Sequence, residues 1–321
     1  MYHKNGNNSI AYITHMLLFL LCYATIIDKP PQCGNIPEGN KAMALTQNDY
    51  IQRAAGTGIY SVAEMDREYN SRRVRIAAAN PTNDVYSVAK IFTVTAIGIC
   101  RDRGMLDVND RFLDIMEISL PDGADPRWKN VTLHMLMKHT AGFSRGLLDI
   151  DVDNASLYPT TDYLSMVLAE PLPAEQGVTR QYTDAAYYLL SRVVEKVSGV
   201  TLFEFLRPAL MDTMRFGEYA WSSCPLGHTM GATGLYIRCE DMVKLGVLYL
   251  NGGMWHKTRI VSEEWCRIVL ERGYEFTRRG VGEWYGKGGM HGQMLALNPA
   301  LGLAVAWQGY SRSVSFEAML G

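Results

Sequence analysis

The sequence predicts a mixed α/β (α+β) domain in which strands from both ends of the chain share one sheet and helices fill the middle. Three observations carry this expectation. Near the start, residues 58–65 (GIYSVAEM) and 73–79 (RVRIAAA) flank a polar turn at 66–71 and read as an antiparallel hairpin. Near the end, residues 284–287, 293–297 and 303–307 read as short strands, the last two joined by the turn residues 298–302 (NPALG). Between them the patterning is helical, so a helical insert from about residue 101 to 255 is expected.

Taken in order, residues 1–56 form an N-terminal apolar segment and linker ahead of a domain at 57–321. The apolar run 11–27 (AYITHMLLFLLCYATII) follows His3 and Lys4 and is closed by Asp28. It is a little short for a spanning helix and slightly long for a signal-peptide core, and is expected to export the chain or anchor it in a membrane. The alternative is a core-packed helix of a cytoplasmic protein, which the cysteines favour. Residues 28–56 are rich in Pro, Gly, Asn and Gln and lead into a short helix near 48–55. After the hairpin, residues 80–84 (NPTND) turn the chain into a long apolar run at 85–105 that leaves almost no polar face, as a helix buried nearly all round would.

Further helices are expected at 131–138, near 161–168, at 185–197, at 234–250 and at 262–271. Gly199 is placed to end the third, and Thr201 with Glu204 forms a capping box for the helix after it. The loop-rich stretch 143–177 suits the wall of a cleft.

With 321 residues, 48% of them apolar, the chain can bury a large core. A net charge of −2 supplies no field for nucleic acid, so a small-molecule or peptide-like substrate is the expected partner. The six cysteines contain no C-x-x-C pair and read mainly as reduced core residues. No H-E-x-x-H occurs, and no metal or cofactor is implied.

Chemistry concentrates at the head of the buried helix. Ser87 and Lys90 stand three residues apart, which on a helix puts a hydroxyl beside an amine. A serine needs a base to become a nucleophile, and a helix N-terminus offers N–H groups to an oxyanion. Alone, S-x-x-K also fits an N-cap followed by a solvated lysine. Three other pieces bear on it. Tyr182 stands just before a helix, where its hydroxyl could pass a proton to a leaving group. Lys287, followed by Gly288 and Gly289 on a late strand, could hold a substrate carboxylate. Residues 139–142 (HTAG) read as a structural turn.

In this order and spacing, the chain resembles the serine β-lactamase and penicillin-binding-protein superfamily, in particular its branch of class C β-lactamases, D,D-peptidases and esterases. The resemblance runs from about residue 58 onward and includes 105–116, 131–143, 181–199, 234–253 and 287–305. It implies an antiparallel sheet of about five strands flanked by helices, with the site between sheet and helical subdomain. By position it implies Ser87 as acylated nucleophile, Lys90 as its general base and Tyr182 as second acid/base. Lys287 matches the lysine of the K-T-G triad. The N–H groups of Ser87 and Met290 would form the oxyanion hole, and Asp184, Gly288 and Gly289 fall where substrate binds.

Two departures shape the expected activity. Asp184 stands where the family usually has asparagine, and its charge would stabilise the ammonium form of Lys90; capping the next helix is its other reading. Gly288 replaces the middle threonine, which makes ester or amide cleavage more expected than efficient β-lactam hydrolysis. The alternative to a serine hydrolase is a catalytically weak or silent scaffold, consistent with Asp184, Gly288 and the lack of a long final helix. An amidase for short peptides would share the mechanism, with Trp221, Trp284 and Tyr285 as pocket candidates. Ser144 lies in a competing G-x-S-x-G match at 142–146, a motif that needs a strand before it and a helix after it.

Overall fold

The computed structural model describes residues 45–280, 282–310 and 314–321. The apolar run 11–27, Cys22 and Cys33 lie outside the described residues. Eleven strands are described: β1 (Ile59–Asp66), β2 (Ser71–Arg75), β3 (Thr82–Asp84), β4 (Tyr219–Trp221), β5 (Leu235–Arg238), β6 (Met254–Trp255), β7 (Thr258–Arg259), β8 (Thr277–Arg279), β9 (Trp284–Gly288), β10 (Met294–Asn298) and β11 (Leu303–Gly309). The α-helices are α1 (Gln47–Ala54), α2 (Ala89–Asp102), α3 (Phe112–Met116), α4 (Leu133–Met137), α5 (Tyr163–Leu168), α6 (Asp184–Ser198), α7 (Leu202–Leu206), α8 (Cys239–Leu250), α9 (Glu263–Arg272) and α10 (Phe316–Leu320).

The main sheet is antiparallel, in the order β2-β1-β11-β10-β9-β8. It has six strands, the sixth being the three-residue edge strand β8. Strands from the two ends meet at its centre, where Ile59 pairs with Gly309 and Asp66 with Leu303. The compact unit starts at Leu45 and takes in α1, which lies ahead of residue 57. Thr46 caps α1 in a reciprocal box with Asp49.

Each face of the sheet carries its own core. On one side α8 packs against β1, β10 and β11, and beyond it α2, α4 and α6 share the larger cluster. On the other side Tyr50 of α1 and Phe316 of α10 meet Trp284 and Trp307. Successive strand residues face opposite ways, so Trp284, Gly286 and Gly288 look to this outer core while Tyr285 and Lys287 look inward. Trp284 is therefore a core residue and not a pocket wall. Trp221 is buried as well, donating its indole N–H to the Thr233 carbonyl at 3.0 Å. Tyr285 is half-buried, with Arg278 over its ring.

Two sequence expectations change. Residues 234–250 are not one helix: Leu235 and Ile237 bury alternately and pair with β3 and β4 in a second, three-stranded sheet, and the helix begins only at Cys239. Residues 80–84 likewise hold β3 and not only a turn.

Helix α2 is buried at every position from Ala89 to Cys100, as its sequence requires. Its Gly98 lets Trp265 of α9 lie directly on the helix backbone, since a Cβ there would fall 2.2 Å from the indole. We expect Gly98→Ala to cost about 2 kcal/mol or more by overpacking, beyond the roughly 1 kcal/mol that alanine gains in a helix. Urea melts of the two proteins measure this, and equal midpoints would refute it.

Candidate active site

The turn that presents Ser87 is fixed from below. Residues Tyr86–Val88 form one 3-10 turn leading into α2, with Val85 and Val88 buried. The Val85 N–H donates to the Leu235 carbonyl at 2.9 Å, which ties the turn to β5. Asp84 accepts the Tyr86 N–H at 2.7 Å, and burial pushes its carboxyl up to about 7. Tyr86 itself is left-handed, at φ +48°. Ser87 sits half-buried on this support, one turn ahead of the wholly buried Lys90.

Four expected residues converge here. Ser87 Oγ lies 2.7 Å from the Tyr182 hydroxyl and 3.0 Å from Lys90 Nζ. Lys287 Nζ donates to the Tyr182 hydroxyl at 3.3 Å. Both ammonium groups also lie over the Tyr182 ring, at 4.8 and 4.9 Å from its centroid.

Lys90 has three donors and three partners: Ser87 Oγ, Asp184 Oδ1 at 2.7 Å and the Ala232 carbonyl at 3.0 Å. Burial alone would drive it toward the neutral amine, but the Asp184 carboxylate, with Tyr182 and Glu275 behind it, more than reverses this and holds Lys90 above the ordinary lysine range. Held as ammonium, Lys90 donates to Ser87, so the Asp184 charge works against the general-base role expected of this lysine. Asp184, expected where substrate binds, is not open to solvent here, being 5% exposed and paired with Lys90. Nor does it cap α6, for Thr183 holds the N-cap position and Asp184 is already helical.

The end of β9 closes the site. A Cβ on Gly289 would lie 2.7 Å from the Val85 carbonyl oxygen, so this strand end and the serine turn approach backbone to backbone. That contact brings the segment bearing Met290 to the segment bearing Ser87, the two expected sources of oxyanion donors. Gly288 offers backbone only, since a Cβ there would meet Met294 on the face away from Lys287.

Sequence reasoning missed Glu275 and gave His139 only a turn. Glu275 lies between α9 and β8, is buried, and pairs with Lys287. Its other oxygen accepts from His139 Nε2 at 2.7 Å, while His139 Nδ1 accepts the Thr183 N–H at 3.3 Å. This fixes the tautomer with its proton on Nε2, and burial keeps the imidazole below its ordinary range. The His139 ring lies 4.5 Å from the Tyr182 ring. Both residues are left-handed, Glu275 at φ +64° and His139 at φ +58°. Their only sequence signal was a glutamate set between two aromatics, Tyr274 and Phe276. Also unforeseen is a group of carboxylates, Asp149, Asp151 and Asp184, whose oxygens lie within 4.8 Å of one another. Burial, then Asp184, pushes Asp149 up to about 6.

Burial raises the Glu275 carboxyl, but Lys287 and His139 outweigh it and hold the group well below its ordinary value of 4.5. Folding then favours the charged form, so this contribution to stability is complete above pH 4.5 and fades below it. The stability gap between wild type and Glu275→Gln should be on the order of 3 kcal/mol at pH 7 and narrow steadily below pH 4.5. Urea melts across that range test the slope, and a gap that widens in acid would refute the assignment.

Ser144 does not compete for the reaction. It is exposed in a loop after α4, with no strand before it, so the G-x-S-x-G match lacks its elbow.

Among solved structures, the chain is similar to a Bacillus anthracis protein described as a 6-aminohexanoate-dimer hydrolase. The two are 15% identical with a TM-score of 0.69, covering 83% of this chain and 77% of that one. It is similar also to a family VIII carboxylesterase, at 16% identity and TM-score 0.62, covering 83% and 90%. Penicillin-binding protein 4* of Bacillus subtilis (strain 168) is 24% identical over 135 residues, which are 41% of this chain and 28% of that protein. The chain thus spans under a third of the length of the curated relatives it matches. A Beta-lactamase family model matches residues 79–308, well over half of the sequence, and the chain belongs to the Beta-lactamase family.

Proposed function

We propose that the chain is a serine hydrolase that cleaves an ester or amide bond through an acyl-Ser87 intermediate. The observation that carries this is one hydroxyl, Ser87 Oγ, held 2.7 Å from Tyr182 and 3.0 Å from a fixed ammonium. As Oγ bonds to the acyl carbon, its proton passes to the Tyr182 oxygen while Tyr182 gives its own proton to the leaving atom. The bond to the leaving group breaks as that atom departs neutral. Lys90 and Lys287 stabilise the negative charge that develops on the tyrosine oxygen during this exchange. The N–H groups of Ser87 and Met290 receive the acyl oxygen. Water then repeats the sequence in reverse, its proton returning through Tyr182 to Ser87.

The second reading, a scaffold with little turnover, is favoured by the Lys90–Asp184 pair, which weakens one candidate base. Intact-protein mass after exposure to a fluorophosphonate and, separately, a penicillin separates the two. The expected fluorophosphonate adduct appears in wild type and in Ser144→Ala and is absent from Ser87→Ala. A folded wild-type protein that takes no adduct would establish the scaffold, and the penicillin arm shows whether lactams enter.

A further inference from the structure

The cation that could bind a substrate carboxylate is already neutralised from inside the protein. Lys287, on β9, is 7% exposed and pairs with Glu275, itself 5% exposed. Glu275 is held there by His139 and sits on a left-handed backbone at φ +64°. Lys90 is matched in the same way by Asp184. The four inner charges, Lys90, Lys287, Asp184 and Glu275, therefore cancel. Half-buried Asp149 and Asp151 lie beside Asp184 and add negative charge to that side of the site. A fixed carboxylate next to Lys287 would meet a field with no net attraction.

Lys287 also reaches the hydroxyl of Tyr182, the group that gives its proton to the leaving atom in the proposed reaction. Whatever Lys287 meets is thus part of the leaving group. Resting on that reading of the reaction, we infer that this enzyme takes substrates whose leaving group is uncharged beside the scissile bond, with Glu275 as the specificity-determining residue that excludes a carboxylate there. Arg180, exposed and 5.7 Å from the Tyr182 ring, is a cation on the solvent side of the tyrosine.

The test compares two isosteric esters, 3-carbamoylphenyl butyrate and 3-carboxyphenyl butyrate, with wild type, Glu275→Gln and Arg180→Gln. Wild type should prefer the neutral ester in kcat/KM by about 30-fold, the scale of an unfavourable charge in a desolvated site. Glu275→Gln should narrow that ratio by about 10-fold even if both rates fall, because Lys287 then offers its charge outward. A residue of purely structural importance would lower both rates and leave the ratio alone. A wild-type ratio near one, a preference for the carboxylate, or a ratio untouched by Glu275→Gln overturns the inference. So does efficient turnover of the carboxylate ester that disappears in Arg180→Gln. If neither ester turns over while Ser87 still takes the fluorophosphonate, 3-hydroxybenzamide should protect Ser87 from labelling better than 3-hydroxybenzoate, and the reverse order overturns it. Absence of the adduct itself defeats the hydrolase reading, and this inference with it.

Discussion

Ser87→Ala lowers kcat by about 10⁴-fold or more, the scale seen when a covalent nucleophile is removed. The substitution leaves the fold in place, because the Ser87 side chain caps nothing in its 3-10 turn. Its hydroxyl does accept from Lys90, and losing that partner costs about 1 kcal/mol of stability. Tyr182→Phe keeps the ring that lies near the two ammonium groups and removes only the oxygen that moves the proton. It should therefore lower kcat by about 10²- to 10⁴-fold, with a stability cost of only about 1–2 kcal/mol for the lost hydrogen bonds to Ser87 and Lys287. The comparison with Lys90→Met decides the proton route. Should Tyr182→Phe remain active while Lys90→Met is dead, the proton leaves Ser87 through Lys90, and the role assigned to Tyr182 is wrong.

Asp184→Ala destabilises the protein by about 3–5 kcal/mol, because it leaves an ammonium in the core with no countercharge. The sign of the pH dependence follows from Lys90. In wild type its pKa is raised, so its contribution is complete below the ordinary lysine value and constant across neutral pH. Without Asp184 the full burial of Lys90 should outweigh the remaining pull of Tyr182 and Glu275, and the pKa should fall below that of the unfolded chain. The unfolded state then binds more protons, so the variant gains stability as pH rises. The deficit should be larger at pH 6 than at pH 9 in urea melts. Lys90→Met combined with Asp184→Leu should recover most of the loss, as apolar replacements of buried pairs do. A deficit under 1 kcal/mol, or one with no pH dependence, would mean that Lys90 is not held as a cation.

What could be read from the sequence divides along physical lines. The S-x-x-K pair was legible because a helix turn brings residues 87 and 90 together whatever the rest of the chain does. The terminal strands were legible through alternation, and α6 through its apolar pairs and Gly199. Asp184 was legible by position, and its charge acts on Lys90 in the expected direction. Tyr182 and Lys287 stood out by their settings, before a helix and on a late strand, but only the resemblance joined them to Ser87, since nothing local brings residues so far apart in the chain together. Glu275 was illegible because one residue in a left-handed bend has no period, and its partners are 136 residues upstream and 12 residues downstream. Residues 235–238 misled because LYIR suits either element until β3 and β4 are present to pair with it.

The pairing of β1 with β11 has a consequence for synthesis on the ribosome. The β1–β2 hairpin can form by itself, but the partner of its free edge is β11, made only after all the other described strands. Until then Val62, Ala63 and Met65, all buried in the finished sheet, lie on a strand with an open edge. The nascent chain therefore carries an aggregation-prone edge until β11 has been made. A chaperone that shields extended apolar segments should raise the soluble yield of the full chain, and raise it far less for variants in which the edge of β1 carries a charge or a proline.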